Sequence, residues 1–232
     1  MPQIVGQTVP ADRPKKGRYL SFDEIAALID AAEREHVRDL LILTLGTGAR
    51  VGSICDIEGA YVHADLGVIN LMRWGEVQSN KRKPIVPISG PMRPVLDSLI
   101  ARRGQGYLLR SSGTPMAEGS KNSTQIIHRM VRRAGIDDGS PVGQTRANRC
   151  SIRHTFGDFL AGRVPDFAIS SVMGHTSIST PDRDRLFARG SPTTEIYKRR
   201  QLQAVRDVGQ VLEAECWPEI VKRSEALRSG RA

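Results

Sequence analysis

The chain has 232 residues, room for one sizeable domain or two small ones, and its 39% apolar content is enough to fill a hydrophobic core. Its 34 Lys and Arg against 25 Asp and Glu leave a formal charge of +9, an excess that favours polyanionic partners. Three widely separated cysteines, Cys55, Cys150 and Cys216, argue against a disulfide framework and fit no zinc spacing, and no apolar run approaches the ~20 residues of a membrane span.

Residues 1–17 read as a flexible lead-in, with three prolines, a basic patch and no apolar signal core. Ser21 and Glu24 form a capping box, and Phe22, Ile25 and Ile29 then repeat at helical spacing. A second helix runs through Val37, Leu40, Leu41, Thr44 and Leu45 and is expected to stop at Gly46-Thr47-Gly48. Arg50 leaves that turn and opens a short helix through Ile54.

From Gly59 to Val86 the period changes. Residues 68–71, 76–78 and 85–88 read as three short strands of a small antiparallel sheet, with Asn80-Lys81-Arg82-Lys83 as a basic hairpin tip. The remainder is mostly helical. One helix spans Pro91 to Arg103, and another spans Ser120 to Ala134, with Gly135 as its C-cap. A short helix carries Arg153, Phe156 and Leu160. The next carries Ile169, Val172 and Met173 and ends at Gly174. A tail helix over Gln201 to Trp217 puts Val205, Val208, Leu212 and Cys216 in register. The expected class is α+β, mostly helical, with a small three-stranded antiparallel sheet.

The polar residues between these elements suit phosphodiester chemistry without a metal. An arginine fork donates two parallel hydrogen bonds to phosphate and does not lose its charge. Arg50 and Arg153, each at a glycine turn or a helix opening, are the candidates for neutralising a scissile phosphate. Lys81 could protonate a leaving sugar oxygen, although Arg82 or Lys83 would look much the same on this tip. A phenol titrates near ~10 and attacks poorly unless cations favour its phenolate. Tyr197 is followed at once by Lys198, Arg199 and Arg200.

At this point the chain resembles the tyrosine recombinase, or phage integrase, family. The matching stretches are TGAR ending at Arg50, the hairpin NKRKPIVPI, SIRHTF over Ser151–Phe156, MGHTSIST over Met173–Thr180, and Glu195-Ile196-Tyr197-Lys198. Their order agrees with the family over roughly residues 18–200, and RHTF together with GHTSIST is the specific part. The resemblance implies the recombinase catalytic-domain fold, with Arg50 and Arg153 as catalytic arginines, Lys81 as the hairpin lysine and His175 near the scissile phosphate. Tyr197 would form a 3′-phosphotyrosyl bond. No cofactor and no metal is implied.

It further implies double-stranded DNA as partner, with Arg82, Lys83, Arg129, Arg132, Arg133 and Lys198 on its backbone. Self-association into a synaptic tetramer through the C-terminal helix, from a monomer without DNA, is part of the same expectation. So is a bacterial, cytoplasmic, nucleoid-associated location. The implied organisation is a lead-in over 1–17, a catalytic domain over 18–200 and a C-terminal helix and tail over 201–232.

Four departures from the family pattern stand out. Cys150 occupies the place, three residues before Arg153, where the family commonly has histidine. Ser53 stands where an acidic residue usually braces the first arginine. Tyr197 lies 22 residues after His175, more than twice the usual interval, so 181–193 reads as an inserted loop. The helical core-binding domain that usually precedes the catalytic domain is not expected within these 232 residues. These departures keep two rival readings open, a domain that grips DNA without cutting it and a nicking and resealing activity of the type IB topoisomerase kind.

Simpler roles also stand beside the catalytic ones. Arg50 could pair with Asp56, Arg153 could brace its helix through Asp158, His154 could pack behind the site, and His175 could cap a helix end. Cys150 could be a small buried hydrophobe. The tail helix with Val205, Leu212 and Trp217 could dock on a neighbouring subunit or pack on its own domain.

Overall fold

The computed structural model describes residues 17–76, 82–136, 147–175 and 192–230, and of 118–122 and 192–201 the backbone alone. The chain enters along α6 (Arg149–Leu160), where the Leu20 amide donates to Thr155 Oγ1 at 2.8 Å. Ser21 then caps α1 (Phe22–Asp30) through the expected reciprocal box with Glu24, and Ile25, Leu28 and Ile29 face inward.

The centre of the domain is α2 (Glu35–Thr47). Leu40, Leu41 and Leu43 are fully enclosed, and ten of its thirteen residues are buried, so it is wrapped by neighbours on nearly every side. The helix ends within the expected Gly46-Thr47-Gly48 stretch, with Gly46 and Thr47 as its last turn and Gly48 as its cap. Met92 and Trp217 press against Gly46, leaving no room for a β-carbon there. The chain turns at Gly48, whose φ of 58° ends the helix in the left-handed region. Arg50 follows as the extended N-cap of α3 (Val51–Cys55).

The sheet is three-stranded and antiparallel in the order β1 (Val62–His63), β2 (Val68–Asn70), β3 (Ile85–Pro87). Its composition differs from the expected one. The outer strand is Val62–His63, paired Val62 with Ile69, while Glu76 is irregular backbone and 77–78 lie outside the described residues. Two residues are too short a run for alternation to show, so this strand is set by its partner. Ile69 and Val86 pair across the middle and are fully buried against the helices. A second ribbon, β4 (Arg110–Ser111) with β5 (Thr114–Pro115), turns at Ser112-Gly113, which both have positive φ.

The remaining helices bury one stripe each: Met92, Leu96 and Leu99 on α4 (Met92–Arg103), Ile127, Met130 and Val131 on α5 (Ser120–Arg133), Ile152, Phe156 and Leu160 on α6, and Ala168, Val172 and Met173 on α7 (Asp166–Met173). The last helix begins earlier than expected. α8 (Pro192–Val211) runs through a π turn (Leu212–Cys216) into α9 (Trp217–Ser229). The π turn absorbs one residue, so the buried series reads Val205, Val208, Leu212, Trp217, Ile220 and Cys216 is only half-buried. Trp217 inserts beneath α2, its Nε1 donating to Ser89 Oγ at 3.1 Å. Hence Val205, Leu212 and Trp217 pack on their own domain. α9 lies along α1 with ion pairs from Arg223 to Asp23 and from Arg228 to Asp30.

Candidate active site

Arg153 sits in the second turn of α6, whose start is fixed by a capping box between Asn148 and Ser151. Its guanidinium reaches the ends of two other helices. Nη1 donates to the Gly48 carbonyl at 2.8 Å, and Nη2 donates to the Met173 carbonyl. Both carbonyls close helices, α2 and α7, that end in left-handed glycines, Gly48 and Gly174. A helix C-terminus carries partial negative charge on unpaired carbonyls, so two of them replace a carboxylate as partners for the cation. Burial, then the nearby Arg50, push the Arg153 pKa down to about 10, with Cys150 acting in the opposite sense. The group remains a cation at neutral pH.

His175 follows the Gly174 cap, its amide bonded to the Ser170 carbonyl at 2.9 Å. Its Nε2 lies 2.9 Å from Arg153 Nη2. Arginine has no acceptor atom, so Nε2 is the unprotonated nitrogen and the proton resides on Nδ1. Partial burial, Arg153, Arg50 and His154 all lower the pKa of His175 from 6.5. The ring is therefore neutral at neutral pH.

Arg50 is half-buried and donates from Nη1 to the Arg82 carbonyl at 3.0 Å. Asp56, the alternative partner, is engaged elsewhere: Lys83 Nζ lies 3.2 Å from its Oδ2. Lys83 also pairs with Glu76 at 2.7 Å, and its side chain is only 15% exposed. Arg82 is half-buried, and its Nη1 is enclosed with no acceptor among the described residues. Gly174 presses on this segment, since a β-carbon there would stand 2.9 Å from the Arg82 carbonyl oxygen.

Three expected residues, Arg50, Arg153 and His175, therefore converge, with His154 and a half-buried Cys150 at their side. Lys81 lies outside the described residues. Tyr197 and Lys198 are on the backbone of α8, which packs along α7 and β3. Arg129 and Arg132 are exposed on α5, whereas Arg133 is ion-paired with Glu33. Sequence reasoning missed the carbonyls of Gly48, Arg82 and Met173 as the arginine anchors. A backbone oxygen has no residue-type signature, and only the glycines beside two of them gave a hint. Among the described residues, no three His, Cys, Asp or Glu side chains are grouped to hold a metal ion.

The helical domain with its small three-stranded antiparallel sheet has the α+β architecture of a recombinase-type fold. The sequence profile of the phage integrase family matches residues 18–183, and the chain belongs to that family. It is similar to tyrosine recombinase XerA of Pyrococcus furiosus, 27% identical over 177 residues that cover 74% of this chain and 57% of that protein. Tyrosine recombinase XerC of Vibrio vulnificus is 26% identical over 210 residues, 88% of this chain and 60% of its own length. The chain thus spans less than two thirds of the length of these relatives. A lambda integrase tetramer bound to a Holliday junction shares the fold, with TM-score 0.54 and 19% identity over 76% of this chain and 52% of that one.

Proposed function

We propose that the chain is the catalytic domain of a site-specific recombinase that cleaves and rejoins DNA through a 3′-phosphotyrosyl bond to Tyr197. The observation that carries this reading is the meeting of Arg153 with His175 at 2.9 Å, with Arg50 close enough to depress both groups. Two fixed cations and a neutral imidazole can receive the nonbridging oxygens of one phosphate, and such preorganised charge is a large part of phosphoryl-transfer catalysis. The Tyr197 oxygen would attack phosphorus, its phenolic proton passing to solvent water as the new O–P bond forms. The bond to the 5′ oxygen breaks, and that oxygen takes a proton from the hairpin, with Lys81 the nominated donor. Attack by a 5′-hydroxyl reverses the step and reseals a strand, so the bond energy is conserved without ATP.

DNA would lie across the face bearing Arg50, Arg82, Arg153 and His175, with Arg129 and Arg132 on flanking phosphates. Such contacts set the position of the duplex and do not read its sequence. Synapsis into a tetramer is the matching assembly, and the cis packing of α9 on α1 fits a monomer before DNA is bound.

The test is a nicked suicide duplex carrying the attachment site, or a pool of random duplexes where the site is unknown. A denaturation-resistant protein–DNA adduct, absent in Tyr197→Phe, is expected. Firm, salt-sensitive binding with no adduct would favour the second reading, a DNA-gripping domain that does not cut, for which the thiol of Cys150 beside Arg153 is the supporting observation. Relaxation of supercoils without exchange between duplexes would mark a nicking and resealing enzyme.

A further inference from the structure

Beside the site, the end of the hairpin is tied down by charges that the proposed chemistry does not use. Lys83 is held between Glu76 at 2.7 Å and Asp56 at 3.2 Å. Arg73 completes the cluster: Nη1 donates to Glu58 Oε1 at 3.2 Å and to the Tyr107 hydroxyl at 2.8 Å, and Nη2 lies 3.8 Å from Asp56. The Arg73 amide donates to Glu76 Oε2 at 3.2 Å, and the guanidinium lies over the Tyr107 ring, 5.5 Å from its centroid. Burial alone would raise the pKa of Glu76, yet hydrogen bonds from Lys83 and the Arg73 amide hold it below the ordinary carboxylate value.

The placement of this cluster matters more than its strength, because partly exposed pairs contribute little to stability. Asp56 is the C-cap of α3, and Arg50 is the N-cap of the same helix. Lys83 adjoins Arg82, whose carbonyl receives Arg50 Nη1. A closed ring results, from Arg50 through α3 to Asp56, across to Lys83, and back through the Arg82 carbonyl to Arg50. The same carbonyl abuts Gly174, one residue before His175. An ammonium committed to two carboxylates and mostly covered has little left to offer a phosphate.

We propose that Lys83 is a positioning residue, whose bridge to Asp56 and Glu76 fixes the Arg82 carbonyl and so aims the Arg50 guanidinium in place of the carboxylate that Ser53 does not supply. Its effect on cleavage rests on the strand-transfer reading. Its effect on the Arg50 side chain does not.

Two measurements separate these. The Nε–H signal of Arg50 in nitrogen-15-labelled protein, assigned by its loss in Arg50→Lys, reports the guanidinium without any DNA. Lys83→Met is expected to shift or broaden it, and Lys83→Arg to restore it. An unchanged signal in Lys83→Met overturns the proposal. On the nicked duplex at saturating DNA, Lys83→Met should lower the single-turnover rate by ~10–100-fold, as misplacement of a reacting group by about 1 Å does. Affinity and its salt dependence should stay as in the unaltered chain, Asp56→Asn should act in the same direction, and Lys83→Arg should recover most of the rate. If Lys83→Met instead weakens binding, reduces the salt slope by about one and leaves the rate of the bound complex unchanged, Lys83 is a phosphate contact and the proposal falls. Should the unaltered chain form no adduct, strand transfer fails and the arginine signal alone decides the role of Lys83. Where Lys83→Met does not fold, Asp56→Asn and Glu76→Gln remove one partner each and carry the same readouts.

Discussion

Arg153 and His175, one on α6 and the other just past α7, meet at 2.9 Å with the imidazole as acceptor. The contact exists only because His175 is neutral, and its neutrality is enforced by burial and by the two arginines. The histidine should therefore titrate below 6.5, observable as the midpoint of its ring proton shifts by NMR. Because its folded pKa is lower than its unfolded value, this group's contribution to stability is complete above 6.5 and is lost as pH falls through the depressed value. A midpoint at or above 6.5 would contradict the geometry.

The two arms of the Arg153 fork hold separate carbonyls from two different nitrogens, a rigid planar spacing that a single ammonium nitrogen does not reproduce. Arg153→Lys is expected to bind duplex nearly as well as the unaltered chain but to cut adduct formation at least ~100-fold, the scale on which preorganised charge contributes to catalysis. Single-turnover cleavage beside a binding isotherm separates the two effects. An equal loss in both would show that Arg153 serves binding alone.

Gly48 combines a φ of 58° with a Phe156 ring carbon 2.2 Å from where its β-carbon would lie. Gly48→Ala should cost about 2–4 kcal/mol, the sum of left-handed strain and overpacking. It should also shift the Gly48 carbonyl away from Arg153. Urea denaturation measures the first effect. A stability unchanged by the substitution would mean that the turn is not as tight as described.

Asp39 on α2 is buried, and burial followed by repulsion from Glu35 raises its pKa from 3.8 to about 6. The folded state keeps this proton longer than the unfolded chain. Stability from Asp39 is therefore greatest below 3.8 and declines as pH rises through about 6. Asp39→Asn should stabilise the domain at pH 8 by about 1–3 kcal/mol and by far less at pH 4. Chemical denaturation at the two pH values tests the difference.

Trp217 fills the space between α2 and the Ser89-Gly90 turn, whereas Trp74 is 86% exposed. Iodide should quench one tryptophan population freely and leave the other nearly untouched. Trp217→Ala should lose about 3–5 kcal/mol of stability as well as the protected emission. If α9 docked on a neighbour instead of its own domain, the loss would depend on protein concentration.

Much of this molecule was legible from residue order. Helical periods at Ile25, Leu40, Leu96 and Ile127, the Ser21–Glu24 box and the glycines after Thr47 and Met173 are local signals, and each produced the element expected of it. Arg50, Arg153 and His175 could be singled out together from the TGAR, SIRHTF and MGHTSIST stretches, and the fold brings them side by side; their catalytic role is the proposal made above. The two-residue strand at Val62 was not legible, since its hydrogen bonds are set by β2 and not by its own side chains. Nor was the π turn, which lets Leu212 and Trp217, five positions apart, both face inward.

By itself the sequence determined the class of fold, the helical stripes that make the core, and the kinds of side chain available for phosphate chemistry. The tertiary structure alone decided what holds those side chains in place. Arg153 is anchored by the carbonyls of Gly48 and Met173, Arg50 by that of Arg82, and Lys83 by carboxylates from two other segments. Every residue carries the same carbonyl oxygen, so nothing in the order of letters marks the ones that matter. Which of them become ligands is settled when helices distant in the chain pack end to end and bury their last unpaired oxygens around a cation.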